Sequence, residues 1–155
     1  EIIQFFVKLQ QKEEQYKKAI TILETYAAKE PTLPVPRYVL TTLYYKIGDL
    51  ATAKKWADEA YPLYTNSDSA AATPAVKYYL ATGDWQKAAR FLADLVADDP
   101  SNYDSLYDLA KVVYLAGDPA AALRIVEKLR AENPDIIATD QNFLNAITAY
   151  EQSKK

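Results

Sequence analysis

In the stretch Leu40-Thr41-Thr42-Leu43-Tyr44-Tyr45-Lys46-Ile47-Gly48-Asp49-Leu50-Ala51-Thr52-Ala53, an apolar and aromatic segment runs into Gly48-Asp49, and a second segment starts directly behind it. A glycine just past a helix end takes up left-handed backbone at little steric cost, so that the last carbonyls of the helix find donors. An aspartate in the next position can cap the following helix, its carboxylate accepting from backbone N–H groups that have no partner within the helix. The stretch therefore predicts helix, tight turn, helix.

The same pair returns as Gly83-Asp84 and Gly117-Asp118, 35 and then 34 residues further on, and these are the chain's only glycines. Pro100 and Pro134 are also 34 apart. Five residues behind each glycine stands an alanine, Ala53, Ala88 or Ala122, and 34 residues before the first of these is Ala19. An apolar set recurs from each alanine at i, i+3, i+4 and i+7: Ala19/Ile22/Leu23/Tyr26, Ala53/Trp56/Ala57/Ala60, Ala88/Phe91/Leu92/Leu95 and Ala122/Ile125/Val126/Leu129. That spacing places each set on one face of a helix. The segments ahead of the turns, 38–47, 76–82 and 106–116, are helical in character too. Pro119 stands where a first helical residue belongs, since its missing N–H costs nothing there.

Composition narrows the chemistry. Without Cys there are no disulfides or thiolate metal sites, and without His the commonest general base and metal ligand are missing. A net charge of −3 argues against nucleic-acid binding by a broad basic surface. The longest apolar run, residues 112–116, is far short of the roughly 20 needed to cross a bilayer, so no membrane insertion by this chain is expected. The lack of cysteine leaves the compartment open, cytoplasm or periplasm. The chain starts at Glu1 and has no Met, which suits a processed protein, a tag-cleaved product or a piece of something longer.

A helical hairpin of 34 residues with a Tyr pair, a Gly-Asp turn, a large residue behind it and a small Ala at the helix crossing resembles the tetratricopeptide repeat. Residues 40–53 carry the resemblance most fully, and 78–88 and 113–122 repeat it, with Pro31, Pro100 and Pro134 as closing prolines. The resemblance implies an all-α fold: a right-handed α-solenoid of about four helix-turn-helix repeats (1–33, 34–67, 68–102 and 103–136) in a single domain, 1–155, with a C-terminal capping helix over 139–153. The pattern departs in places. Glu14-Gln15 replaces Gly-Asp in the first unit, predicting a looser turn. Ile3, Arg37 and Leu106 stand where the family has Trp. Pro62 ends the second unit's second helix. Pro74 interrupts the third unit: either Asp68 or Ser69 starts a helix kinked at Pro74, or Thr73 caps a shorter one whose first residue is Pro74. The second alternative is preferred, with a flexible connection over 63–72.

In this family the first helices of successive repeats line a concave groove. Carried across, its positions form three rows: Lys8, Thr42, Lys77 and Lys111; Gln4, Tyr38, Thr73 and Tyr107; Gln11, Tyr45, Leu80 and Tyr114, with Lys12 and Lys46 alongside. A groove rich in Lys and Tyr would draw an acidic segment or a terminal carboxylate, with flat rings supplying contact area. The family's dicarboxylate clamp is not expected, since Lys8 and Thr42 stand where it needs Asn. The bland alternative is solvated lysines and tyrosines in helix packing. No catalytic constellation emerges. Glu13/Glu14 and Asp98/Asp99 are neighbours and point in different directions on a helix. Each glycine is isolated, so there is no phosphate loop, and no Ser or Thr has a base pattern beside it. Residues 135–140 lack the alternating ligands of a calcium loop. No cofactor, metal or enzyme activity is expected. The leading expectation is a scaffold or adaptor that binds a protein or peptide. Next come a structural or oligomerisation domain from a larger bacterial envelope or membrane-associated enzyme, and an engineered repeat scaffold. A homo-oligomer through the first helix is suggested by Ile2, Ile3, Phe5 and Phe6, which crowd it.

Overall fold

The computed structural model describes residues 2–155; the side chains of Ile2, Phe5, Phe6 and Leu9 lie outside what is described, and with them most of the crowding expected on the first helix. The described chain is helical throughout, without a strand: α1 (Ile2–Lys29), α2 (Pro34–Lys46), α3 (Leu50–Ala60), α4 (Ser69–Thr82), α5 (Trp85–Asp98), α6 (Tyr103–Leu115), α7 (Pro119–Glu132), α8 (Asp135–Ala138) and α9 (Gln141–Gln152). This all-helical repeat architecture is consistent with the α-solenoid class. No described helix is long and apolar enough to cross a membrane.

The turns have the geometry their residues dictate. Gly48 has φ +84° and Gly117 φ +96°. At the first turn the Asp49 N–H donates to the Tyr44 carbonyl (3.0 Å) and the Gly48 N–H to that of Tyr45 (3.1 Å). These two bonds close α2 in the paired pattern characteristic of glycine-terminated helices. The Asp49 carboxylate then accepts from the Thr52 N–H at 3.1 Å and opens α3. At the last turn Asp118 donates to Val113 (2.9 Å) and Gly117 to Tyr114 (3.0 Å), while the Asp118 carboxylate accepts from the Ala121 N–H at 2.9 Å. Asp84 caps α5 in the same way, through the Lys87 N–H at 3.2 Å.

Two compact units share the chain, Glu1–Tyr78 and Tyr79–Lys155. In the first, α1 packs on α2 and α2 on α3, around Ile20, Ala27 and Leu40 with Leu23, Leu43, Ile47 and Trp56 against them. The Tyr44 hydroxyl donates to the Glu24 carboxylate at 2.6 Å and ties α2 to α1; that bond, with burial added, pushes the Tyr44 phenol up to about 12. In the second unit, α5 packs on α6 and α6 on α7, and α8 and α9 close against α7. Its core is built on Leu106, Ala110, Ala122, Val126, Leu129, Ile137, Phe143 and Ile147. Ala53, Ala88 and Ala122 are fully buried, as close helix crossings require.

Two local expectations need correction, and two further features gain detail. The looser turn at Glu14-Gln15 does not exist: α1 runs unbroken for 28 residues. Nothing between 13 and 17 breaks a helix, and a Lys17–Glu13 ion pair one turn apart spans the expected bend at 2.9 Å. The third unit's first helix starts at Ser69, with Pro74 inside it. There Thr65 donates to the Asp68 carboxylate through its hydroxyl (2.8 Å) and its backbone N–H (3.3 Å), ordering the entry. Burial of Ala71, Ala72 and Ala75 offsets the bond that Pro74 cannot make. The expected closing helix is present as α9, capped by Asp140, and the short α8 precedes it. Arg37, standing where the family has Trp, is a cap for another helix. Its buried guanidinium donates to the carbonyls of Leu33 (2.8 Å), Glu30 (3.2 Å) and Ala27 (3.2 Å). Those of Ala27 and Glu30 lie at the end of α1, which has no glycine to close it.

Ala88→Leu or Ala122→Leu should overpack a crossing and cost on the order of 1–3 kcal/mol, read as a lowered Tm in thermal melts. Arg37→Ala should cost about 2–3 kcal/mol in urea titration. Arg37→Lys should recover little of it, because one ammonium cannot reproduce a planar fork reaching three carbonyls.

Candidate partner-binding surface

Helical spacing sets the positions of the predicted groove residues, and the structure sorts them into three kinds. The first is core. Tyr38 is 0 % exposed in the first unit and cannot meet a ligand; that assignment is corrected, because its side chain is wholly enclosed by the fold. Thr42 is half-buried, its hydroxyl donating to the Tyr38 carbonyl at 3.1 Å.

The second kind is exposed. Lys8 on α1, Tyr45 and Lys46 on α2 and Lys77 on α4 all face solvent in the first unit, as do Gln4, Gln11 and Thr73. Tyr45 meets Tyr78 edge to face, with centroids 6.1 Å apart. Lys46 lies over the Tyr16 ring, 5.6 Å from its centroid, a cation–π arrangement. Lys12, Glu13, Tyr16, Lys46 and Ile47 line a cleft of about 480 Å³. Within it, the Glu13 carboxylate is drawn toward Lys17. Tyr16 was not singled out by the repeat pattern; it lies on α1, one turn beyond Lys12, and only the unbroken helix brings it beside Lys46.

The third kind is brought together and already occupied. In the second unit Tyr107, Lys111 and Tyr114 line one face of α6, and the start of α9 closes over them. The Lys111 ammonium donates to an Asp140 carboxylate oxygen at 2.8 Å, and the Tyr107 hydroxyl donates to the same oxygen. The other Asp140 oxygen accepts from the Phe143 N–H at 3.1 Å and caps α9. Phe143 meets both rings edge to face, 6.2 Å from Tyr107 and 5.9 Å from Tyr114. Lys111 sits 5.4 Å over the Tyr107 ring. The hydrogen bond from Lys111, then that from Tyr107, then that from the Phe143 N–H hold the Asp140 carboxyl down to about 2. Lys111 is raised in turn, chiefly by its bond to Asp140. Tyr107 is raised by burial first and by Asp140 second. Two shallow clefts flank the cluster, about 320 Å³ beside Tyr114, Asn142 and Ala146 and about 270 Å³ beside Leu80, Trp85 and Asp108. Burial pushes the Asp108 carboxyl up.

Of the adjacent carboxylates, Glu13 pairs with Lys17 and Asp99 shapes a turn. Asp99 accepts from the Ser101 hydroxyl at 2.6 Å and from its N–H at 3.1 Å, shaping the turn into α6. Among the described residues no group of three or more His, Cys, Asp or Glu is placed to hold a metal ion.

Because the folded Asp140 carboxyl is depressed, its contribution to stability is complete above the ordinary carboxylate range and is lost as pH falls through its folded value. Asp140→Asn keeps an acceptor for the Phe143 N–H and removes the charge. The advantage of the native chain over Asp140→Asn should be full at neutral pH and shrink between about pH 4 and pH 2, measured by urea unfolding across that window.

The second unit is also where similarity to known proteins is found. Residues 79–152 match the family model described as tetratricopeptide repeat. No curated protein sequence matches the chain. The matched segment contains two of the three Gly-Asp turns and the buried alanines Ala88 and Ala122, and over residues 79–152 the chain is similar to the tetratricopeptide repeat, consistent with that family.

Proposed function

We propose that the chain is a non-catalytic adaptor that seats an acidic segment of a partner protein in the cleft between α1 and α2. Tetratricopeptide repeats generally mediate protein–protein interactions, so the question is which surface offers a partner unspent chemistry. The observation that carries this reading is the convergence of Lys12 from α1 and Lys46 from α2 around the Tyr16 ring, in a cleft with apolar area from Ile47. A carboxylate entering there meets two ammonium groups on a low-dielectric aromatic wall, and the charges steer its approach. Lys8 and Lys77, both exposed, add positive charge to the same unit of an otherwise acidic protein. The cluster on α6 is less suited, because Asp140 already holds Lys111 and Tyr107.

The test is fluorescence anisotropy with a panel of Asp- and Glu-rich peptides at low and high salt. Lys12→Glu with Lys46→Glu should weaken the tightest peptide roughly tenfold or more and flatten its salt dependence, whereas Lys111→Gln should leave its affinity unchanged. Binding indifferent to the double reversal, or no binding to any acidic peptide at low salt, would overturn the reading.

A further inference from the structure

The unbroken α1 leaves a face uncovered that the repeat pattern fills elsewhere. Ile22 and Tyr26 are 69 % and 47 % exposed. One repeat on, the position of Ile22 is taken by Trp56, Phe91 and Ile125, all buried or half-buried. The first half of α1 shows the same anomaly: Ile3 is 78 % and Val7 46 % exposed. The residues at the repeat position of Ile3, Arg37, Ala72 and Leu106, are all buried, as are Thr41, Val76 and Ala110 at that of Val7. In a hairpin the two halves would cover each other. On a straight helix Ile3 and Tyr26 stand about 35 Å apart, at 1.5 Å per residue, and cannot meet within one molecule.

We infer that α1 is a self-complementary dimerisation helix, two copies of the chain packing their α1 helices antiparallel about a two-fold axis at Glu14-Gln15. At about 100° per residue, Ile3, Val7, Ile22 and Tyr26 fall within an arc of roughly 140° on one side of the helix. About an axis between residues 14 and 15, position i lies opposite position 29 − i. Ile3 then lies against Tyr26 of the second copy, Val7 against its Ile22 and Gln11 against its Lys18. Each apolar pair forms twice, as an isologous interface requires. The middle of the face is polar and exposed, and its charges complement one another: the two Glu14 carboxylates and two Lys18 ammonium groups gather at the axis with opposite signs adjacent. A polar centre between apolar ends also fixes the register, since sliding by one turn would set Lys18 against Val7 in one direction and Ile22 against Gln11 in the other. The contact would replace in trans the cover that a turn at Glu14-Gln15 would have supplied in cis, and it does not depend on the acidic-segment reading.

The chain has no cysteine, so engineered thiols report cleanly. Under mild oxidation, a mixture of Val7→Cys and Ile22→Cys proteins should give a disulfide-linked pair, while either protein alone should stay unlinked. Sedimentation equilibrium of the native chain should approach twice the chain mass as concentration rises. Ile22→Lys with Tyr26→Lys should remain at the single mass with unchanged helicity; should that variant lose helicity, the cysteine pair decides by itself. A native chain of single mass at every concentration, a Val7→Cys protein that links to itself, or a folded double-lysine variant that still doubles its mass would each overturn the inference. The last outcome would leave α1's face to a different occupant.

Discussion

The structure depends on one joint, used three times. In Gly-Asp, the glycine takes the left-handed conformation that lets a helix close on its own carbonyls, and the aspartate begins the next helix within one residue. At Gly48 and Gly117 the aspartate N–H finishes the old helix while its carboxylate caps the new one. This double use makes the connection so short that consecutive helices must lie antiparallel and close. Closeness then demands a small residue at the crossing, and an alanine follows five positions later each time. A side chain at the glycine would have to adopt a backbone state costly to any residue with a Cβ, so neither half of the pair has a simple substitute.

Where the joint is missing, its effect can be seen by contrast. Residues 13–17 hold no glycine, no proline and no capping aspartate, and the helix continues through them. The apolar set that follows, Ala19/Ile22/Leu23/Tyr26, keeps the repeat spacing, yet only its inner side is covered, by α2. The end of α1 is then closed without a glycine, by the guanidinium of Arg37 reaching back from the next helix. A long-range side chain thus does at this end what a single residue's backbone does at the others. The difference matters energetically, since burying a charged group requires that nearly all its donors be met.

This contrast also explains what was legible in the sequence. The three Gly-Asp turns, the alanines behind them and the class of fold rest on interactions within a few residues, and periodicity exposes these directly. The features misread are those set by competition or by distance. Continuity through Glu14-Gln15 follows from local helix propensity, which repeat phase does not report. The helix around Pro74 exists because buried alanines outweigh one lost hydrogen bond, a tertiary effect with no local mark. Tyr38 and Tyr45 stand seven residues apart on nearly the same face of α2, and only their places along that helix separate them: Tyr38 is enclosed near its start and Tyr45 exposed near its end. No pattern announces that Arg37 caps a helix ten residues back, or that Asp140 binds side chains 29 and 33 residues away.

The Asp140 cluster bears on how such a surface chooses ligands. A carboxylate tethered at the start of α9 competes with any free one for Lys111 and Tyr107, at an effective concentration a dissolved peptide cannot match. It is also committed twice, since the same side chain caps α9 through the Phe143 N–H. An entering acid would have to displace Asp140 from Lys111 and Tyr107 and so remove the two hydrogen bonds that do most to depress its carboxyl, the bond to the Phe143 N–H being made through the other oxygen. The last repeat position thereby becomes self-satisfied, Lys111 and Tyr107 both being held by the chain's own Asp140. A positively lined repeat surface can in this way be selective without new contacts: the chain's own acids decide which of its bases are open.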